Sequence, residues 1–418
     1  MNEKIITFGC RLNTYESEVM RQIVDQSSDD ILVINTCAVT AEAERQARQT
    51  IRKARRDNPN VKIIVTGCSA QINPKTYAGM PEVDRVLGNE DKLKPDNFIF
   101  NTHHTEKAIV NDIMSVKETA GHLISNFEGK SRAFIQVQNG CDHRCTFCII
   151  PFGRGNSRSV PLGDIVQQVH ILVDNGYKEI VLTGVDITAY GSDLPGKMTL
   201  GQMVRRLLKL VPGVQRLRIS SIDSVEVDAD LLDLVENEPR LMPHFHLSLQ
   251  AGDNLILKRM KRRHLREDAI NMCQEFRKRR PDSVFGADLI VGFPTETEDM
   301  FKNTLRIVEE CDLTYLHVFP YSQRPGTPAS RMPQVPSNII KERAKHLRAL
   351  GEQQKQKTLH RFIGRKANVL VESPKLGRTE HFIPVDLSNL TISKCSEGSI
   401  LPLFLERVAG DMLIGKET

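Results

Sequence analysis

The sequence predicts an α/β protein in three successive parts. These are an N-terminal parallel α/β domain over residues 1–115, a central partial (β/α)6 barrel over 131–335, and a small C-terminal antiparallel β-barrel over 361–418. Short apolar runs alternate with helical periodicities along the first two stretches, the pattern of repeated β-α units around a parallel sheet. Beyond residue 360 that pattern stops, and β-rich runs with polar or Gly-containing turns take over. A length of 418 residues also exceeds what one ordinary core holds.

In the first part, residues 4–8, 30–35, 61–66 and 83–87 read as strands, and 13–24 and 41–56 as helices. Cys10, Cys37 and Cys68 each follow one of the first three strands, so a parallel sheet brings all three to one edge. That repeated placement points to a three-thiolate iron–sulfur site with one iron open. The plainer alternative is three separate buried thiols. Residues 102–130 read as a connecting segment, in which His103 and His104 are expected to be a solvated pair.

The second part opens with a strand over 132–137 and the loop Gly140-Cys141-Asp142-His143-Arg144-Cys145-Thr146-Phe147-Cys148. Further strands are expected at 179–183, 216–220, 245–249, 285–291 and 314–319, with helices at 162–175, 199–210, 266–279 and 298–310. The cysteine loop then sits at the C-terminal mouth of the barrel, where ligands bind in such folds. Its spacing, C-x3-C-x2-C, supplies three thiolates, one short of a zinc site or a fully ligated four-iron cluster. A zinc loop is the alternative, but zinc loops repeat C-x2-C pairs and no second pair is present. Cys273 and Cys311, on helical patterns, and Cys395, in a loop, are expected not to be ligands.

Two stretches are strongly basic. Lys258, Arg259, Lys261, Arg262, Arg263 and Arg266 fall within nine residues, just after a predicted strand. Residues 336–360, preceded by Pro333 and Pro336, read as a basic linker helix carrying Lys341, Arg343 and Lys345. Either a solvated face or a phosphate-contacting one fits such runs. In the third part, strands are expected at 367–372, 381–385, 400–408 and 412–414, with Leu376-Gly377-Arg378 as a turn. Small barrels of this kind serve either as nucleic-acid platforms or as structural caps.

Apolar residues are 40% of the chain and charged residues 26%, the balance of a water-soluble globular protein. No apolar stretch reaches membrane-spanning length, and the first residues lack the apolar core of a signal peptide. A cytoplasmic location is expected, where nine cysteines mean metal ligands more than disulfides.

The cysteine loop, with aromatic Phe147 before its last cysteine, resembles the signature of the radical S-adenosylmethionine (SAM) superfamily. The two cysteine sets, their order and the terminal barrel together resemble one family in it, the radical SAM methylthiotransferases. The architecture of that family is a methylthiotransferase domain, a radical SAM partial barrel and a C-terminal TRAM domain. Gly9-Cys10-Arg11-Leu12-Asn13 through Glu16-Ser17, Asn35-Thr36-Cys37 and Gly67-Cys68-Ser69-Ala70-Gln71 carry the resemblance. Gln136 to Cys141, Ile149 to Gly155, Ser157 to Ser159, Leu182 to Asp186, Arg218 to Asp223 and His246 to Gln250 look like the branch that modifies N6-threonylcarbamoyladenosine in tRNA. The short terminal barrel, with a loop-like run over 391–399, departs from the family pattern.

The resemblance implies two [4Fe-4S] clusters. One, on Cys141, Cys145 and Cys148, has its open iron chelated by the amino and carboxylate groups of SAM. An auxiliary cluster on Cys10, Cys37 and Cys68 holds or donates sulfur. The implied reaction is methylthiolation of carbon 2 of N6-threonylcarbamoyladenosine next to the anticodon, giving 2-methylthio-N6-threonylcarbamoyladenosine. One SAM would methylate a sulfide, and a second would yield the radical that takes the adenine hydrogen. That hydrogen is not acidic, so the chemistry belongs to a cofactor and not to side chains.

Phe147, Gly184, Ser221, His246, Ser248, Gln250, Asp288 and Gly292 are the expected SAM contacts, at strand ends facing the loop. Ordinary strand-end packing is their alternative. The expected partners are a tRNA anticodon stem-loop, met by the basic residues above, and a reductant such as flavodoxin or ferredoxin, with no membrane and no DNA. Rival targets are isopentenyladenosine tRNA or a ribosomal protein. A metal-bearing RNA-binding protein without catalysis is a further rival.

Overall fold

A computed structural model of the chain describes residues 4–100, 106–118, 123–390 and 396–417. His103, His104, Cys395 and most of the loop-like run over 391–399 lie outside the described residues. Five parallel strands form the N-terminal sheet in chain order: β1 (Ile5–Thr7), β2 (Ile31–Thr36), β3 (Lys62–Gly67), β4 (Arg85–Leu87) and β5 (Ala108–Ile109). Helices α1 (Arg11–Asp25) and α2 (Ala41–Asp57) make the first two crossovers. Short helices α3 (Cys68–Ile72) and α4 (Pro74–Ala78) lie in the third.

Strand β2 is buried along its whole length and apolar on both faces, as helices on both sides require. Leu32 and Ile34 pack with Ile51 and Tyr77 on one face. Ile31 and Val33 pack with Met20, Val24 and Phe98 on the other. Helix α2 starts where the Thr40 side chain accepts a hydrogen bond from the Ala43 N–H. Glu42 and Glu44 sit in its first turn, and Arg55 and Arg56 in its last, each complementing the helix dipole.

The central unit begins with β6 (Ala133–Gln136). Two short strands, β7 (Gln138–Asn139) and β8 (Arg158–Ser159), pair across the cysteine loop and helix α5 (Ile150–Arg154). Then follow α6 (Leu162–Asp174), β9 (Glu179–Thr183), α7 (Leu200–Leu210), β10 (Arg216–Ile219), α8 (Ala229–Asn237) and β11 (His244–Gln250). Next come α9 (Asn254–Met260), α10 (Arg266–Arg279), β12 (Val284–Val291), α11 (Glu298–Glu310) and β13 (Leu313–Pro320). The ladders β6-β9-β10 and β11-β12-β13 are parallel throughout. Parallel bridges Leu217–Leu241 and Ile222–Leu247 join them into one six-stranded partial barrel.

Alternation along these strands sends one side chain outward to the helices and the next into the lumen. Ile180, Leu182, Leu217, Ile219, Phe245, Leu247, Ala287 and Leu289 face the outer core. Their neighbours Glu179, Arg216, Arg218, His244, His246 and Asp288 therefore face the lumen.

Helix α12 (Ser337–Arg361) runs along β13 to the closed terminal barrel. That barrel is β14 (Lys366–Ser373), β15 (Leu376–Arg378), β16 (Pro384–Asp386), β17 (Ile400–Ala409) and β18 (Met412–Glu417), closed in the order β14-β15-β16-β18-β17. Two details differ from expectation. Leu376–Arg378 is not a turn but a strand, because closure needs it to pair with β14 on one side and β16 on the other. The barrel is also not wholly antiparallel, since β16 runs parallel to β18.

The terminal barrel sits on the N-terminal ends of the central strands. Buried Arg218 donates to the Thr379 carbonyl at 3.0 Å and the Glu380 carbonyl at 2.9 Å. Arg216 donates to the Asn368 carbonyl, and Arg132 pairs with Glu372 at 2.6 Å. The Phe382 ring stacks on His244 at 5.2 Å. No described helix is long and apolar enough to cross a membrane.

Candidate active site

The three N-terminal cysteines do meet at one edge of the sheet. Cys10 is the residue before α1, Cys37 follows β2, and Cys68 opens α3 after β3. All three are free, with Cys10 exposed and the others buried. Gly9 is a glycine because a Cβ there would stand 2.9 Å from the Cys37 sulfur. Burial, then the neighbouring Cys68, push the Cys37 thiol up to about 12, with Cys10 adding to the effect.

Cys141, Cys145 and Cys148 lie on the loop above β6. Thr146 anchors this loop to the end of α9, its N–H donating to the Met260 carbonyl at 3.0 Å and its hydroxyl to the Arg259 carbonyl at 2.7 Å. Burial pushes the Cys148 thiol up to about 12, and Cys145 adds to this. Burial and Asp186 raise Cys141 as well. Asp186 lies 3.7 Å from the Cys141 sulfur and pairs with His143 at 3.0 Å. Arg262 lies 3.8 Å from the Cys145 sulfur, held by Asp223 at 2.9 Å and the Ser248 carbonyl at 2.8 Å.

Both donor sets fit an iron–sulfur cluster. Each has three sulfurs, and burial with repulsion from neighbouring cysteines disfavours the thiolate at Cys37 in one trio and at Cys141 and Cys148 in the other unless a cation takes up the charge, which metal ions do outright. A guanidinium stands close to each trio to offset the remaining negative charge.

The two trios share one short helix. Helix α5 starts two residues after Cys148, and a Cβ on its Gly153 would stand 3.1 Å from the Cys68 Cβ. Asn89 clamps the contact, donating to the Gly153 carbonyl at 2.5 Å with the Cys68 sulfur 3.7 Å away. Arg154 closes it. Its guanidinium donates to both Glu16 oxygens, at 2.5 and 2.8 Å, and to Asn13 of α1. Lys92 joins at 2.7 Å from Glu16, with all three charges buried. Burial works against the Arg154 charge, yet Cys68 and Glu16 hold its pKa well above the ordinary value. Arg154, Glu16 and Lys92 were not expected site residues; as charged residues scattered over the chain, they carry no spacing signal. The signal that was present lay in the blocks around Cys10 and Gly153, which contain Glu16 and Arg154.

The expected SAM contacts divide into two groups. His246, Asp288 and Ser248 share the lumen side of the barrel, while Gln250 lies past a register shift at the end of β11. His246 and His317 both meet Asp288, at 2.9 and 3.1 Å, and keep its carboxyl below the usual range despite burial. Gln250 has φ 71°, a left-handed bend at the end of β11. By the same alternation it is Ser220, not Ser221, that follows Arg216 and Arg218 toward the lumen, and the buried Ser220 hydroxyl has no partner. Gly184 and Gly292 have packing reasons of their own. A Cβ at Gly184 would stand 2.9 Å from Gln138, and one at Gly292 would overlap Ile340 of α12. Phe147 meets Phe293 edge-on with ring centres 6.4 Å apart.

Several expected phosphate contacts are spent elsewhere. Arg343 is 6% exposed and binds Glu296 at 2.8 Å, so it ties α12 to the barrel and offers nothing to RNA. Arg262 faces the cysteine loop, as above. Arg259 donates to Thr295 at 2.8 Å, and Arg266 binds Glu310 and the Gly252 carbonyl. Arg263 pairs with Glu226 while staying solvent-exposed. Lys258, Lys261, Lys341 and Lys345 are exposed. The arginines of both runs go to fixed partners because the planar fork suits buried carbonyls and carboxylates.

Comparison with known proteins gives two family matches. Residues 135–308 match the radical SAM superfamily, and residues 3–88 match an uncharacterized protein family, UPF0004. The chain is 59% identical over 388 residues to the threonylcarbamoyladenosine tRNA methylthiotransferase MtaB of Rickettsia prowazekii, covering 93% of this chain and 91% of that one. It is 38% identical to the protein of the same name in Aquifex aeolicus, covering 91% and 95%. Against the tRNA-2-methylthio-N(6)-dimethylallyladenosine synthase of Ehrlichia canis identity is 32%, covering 89% and 88%. Among solved structures, the radical SAM methyltransferase TsrM of Kitasatospora setae, with cobalamin and a [4Fe-4S] cluster bound, superposes with a TM-score of 0.54 at 14% identity, covering 77% and 69%, a likeness of fold.

Proposed function

We propose that this chain, which belongs to the radical SAM tRNA methylthiotransferases, attaches a methylthio group to carbon 2 of N6-threonylcarbamoyladenosine beside the anticodon of tRNA. The observation that carries the reading is helix α5, which continues the loop of Cys141, Cys145 and Cys148 and packs on Cys68 of the other trio, so that a sulfur site and a SAM site adjoin. The SAM-binding cluster belongs to the superfamily; the auxiliary cluster on Cys10, Cys37 and Cys68 is part of the proposal. When bound, the two clusters supply the radical chemistry and the sulfur that no side chain can.

The protein's own residues bind, orient and exclude. Arg262 and Arg154 offset the charge of the thiolates, each fixed by a buried carboxylate. Gln138 accepts the backbone N–H groups of Val185 and Asp186, which sets the loop carrying Asp186 beside Cys141. Ser248 and the His246–Asp288 pair line the lumen side on which SAM and nucleobase are held in contact. The seated terminal barrel excludes water from below. An anticodon stem-loop approaching the mouth meets the exposed Lys258, Lys261 and Arg263. A cytoplasmic setting and a low-potential protein reductant complete the proposal.

Mass spectrometry of tRNA nucleosides tests it. A strain lacking the gene should lose 2-methylthio-N6-threonylcarbamoyladenosine and accumulate its unmethylthiolated precursor. An unchanged level, with loss of the isopentenyl counterpart instead, moves the enzyme to the rival substrate.

A further inference from the structure

Arg11 is a charged residue the chemistry above does not use. It is the first residue of α1, directly after Cys10, and α1 packs against β6 of the barrel. From there its charge reaches the barrel lumen, where Arg132, Arg218, Glu179 and Asp288 act on it and it acts on His244. The other lumen charges are already matched. Glu179 binds Arg132 and Arg218, each at 2.8 Å, and Asp288 binds its two histidines. Arg11 is half-buried and has no hydrogen bond or ion pair among the described residues. A guanidinium is always charged at neutral pH, and one left half-buried without a partner gains from any added anion.

The proposed substrate brings one. Its N6 substituent ends in a threonine carboxylate, ionised at neutral pH. Carbon 2 and the N6 nitrogen lie on the same edge of adenine, separated by N1 and carbon 6. A base that turns carbon 2 toward the sulfur site therefore turns its N6 substituent to the same side, where the residue after Cys10 stands. A guanidinium fork matches a carboxylate in two parallel hydrogen bonds.

We propose that Arg11 is a specificity-determining residue that binds the carboxylate of the threonylcarbamoyl group and so favours this nucleoside over adenosines with a neutral N6 substituent. The inference rests on the substrate reading given above. A site built around a charged hydrogen bond discriminates sharply against a ligand lacking its partner.

The test compares three anticodon stem-loop RNAs with the cluster-loaded enzyme, one bearing threonylcarbamoyladenosine, one its threonine methyl ester and one isopentenyladenosine. Both binding, by fluorescence anisotropy, and methylthiolation rate are read. The wild type should favour the acid over the ester by about tenfold or more, the usual worth of a charged hydrogen bond. In Arg11→Gln the ratio should fall to about one, and in Arg11→Lys to an intermediate value, since charge remains but the fork does not. Because the ratio is taken within one preparation, a variant with fewer clusters lowers both rates and leaves the ratio intact. A wild type without preference, or a wild-type ratio retained in Arg11→Gln, overturns the inference. A wild type that modifies isopentenyladenosine RNA and neither of the other two overturns the substrate reading along with it.

Discussion

Cys141, Cys145 and Cys148 sit on a single loop, whereas Cys10, Cys37 and Cys68 reach one another only because three successive strands lie side by side in register. The loop trio needs a short anchor, supplied by Thr146 and the end of α9. The sheet trio needs a folded domain, since its donors are distant in sequence and close only where the strands end. A site spread over a fold inherits the stability of that fold; a site on one loop depends mainly on local geometry. The proposed division of labour follows the same line, with radical generation on the local site and sulfur delivery on the distributed one.

Separating the two functions gives the largest effect. Cys148→Ala should abolish reductive SAM cleavage and methylthiolation together. Cys37→Ala should abolish methylthiolation, leave SAM cleavage measurable, and drop iron from about eight per chain to about four. Equal loss of cleavage in both variants would break the division of labour.

The bridge between the trios comes next. Glu16→Gln leaves buried Arg154 and Lys92 without their carboxylate and should cost about 3–5 kcal/mol in denaturant unfolding. Its pH signature has a definite sign. Burial raises the Glu16 carboxyl, but Arg154 and Lys92 outweigh it and leave it at about 2, below its ordinary 4.5. Its stabilisation is therefore complete above pH 4.5 and lost as pH falls through about 2. The variant should show a correspondingly flatter acid limb.

A smaller perturbation asks whether the sheet trio alone feels its core. Ile34→Ala empties a fully buried position in β2 and should cost about 2–5 kcal/mol. Iron at the sheet trio should fall while the loop trio keeps its share. Equal loss at both would mean that the two sites unfold as one unit.

Much of this was legible because periodicity and spacing are local signals. The strand-end cysteines, the C-x3-C-x2-C loop and the helices at 266–279 and 298–310 stand where the pattern puts them. Two-residue β5 has no period to read, and Leu376–Arg378 becomes a strand only because a closing barrel pairs it on both edges. Charge runs misled for another reason. Sequence reveals a guanidinium but not its partner, and Arg343 and Arg262 are committed to carboxylates that lie 47 and 39 residues away. Ser221 is the expected contact and Ser220 the one that follows the lumen-facing alternation, because a strand's register against the lumen is invisible until its neighbours fix it.

The terminal barrel on the floor of the central one has a consequence for traffic. With Arg132, Arg216 and Arg218 bonded across the junction and Phe382 stacked on His244, the described residues of the terminal barrel cover the lower end. In the proposed reaction, cofactor, nucleobase and spent fragments would share the mouth side, and whatever is seated deepest would leave last. Under the proposed function, turnover would then be a queue in which the nucleotide withdraws before the molecule beneath it can be exchanged.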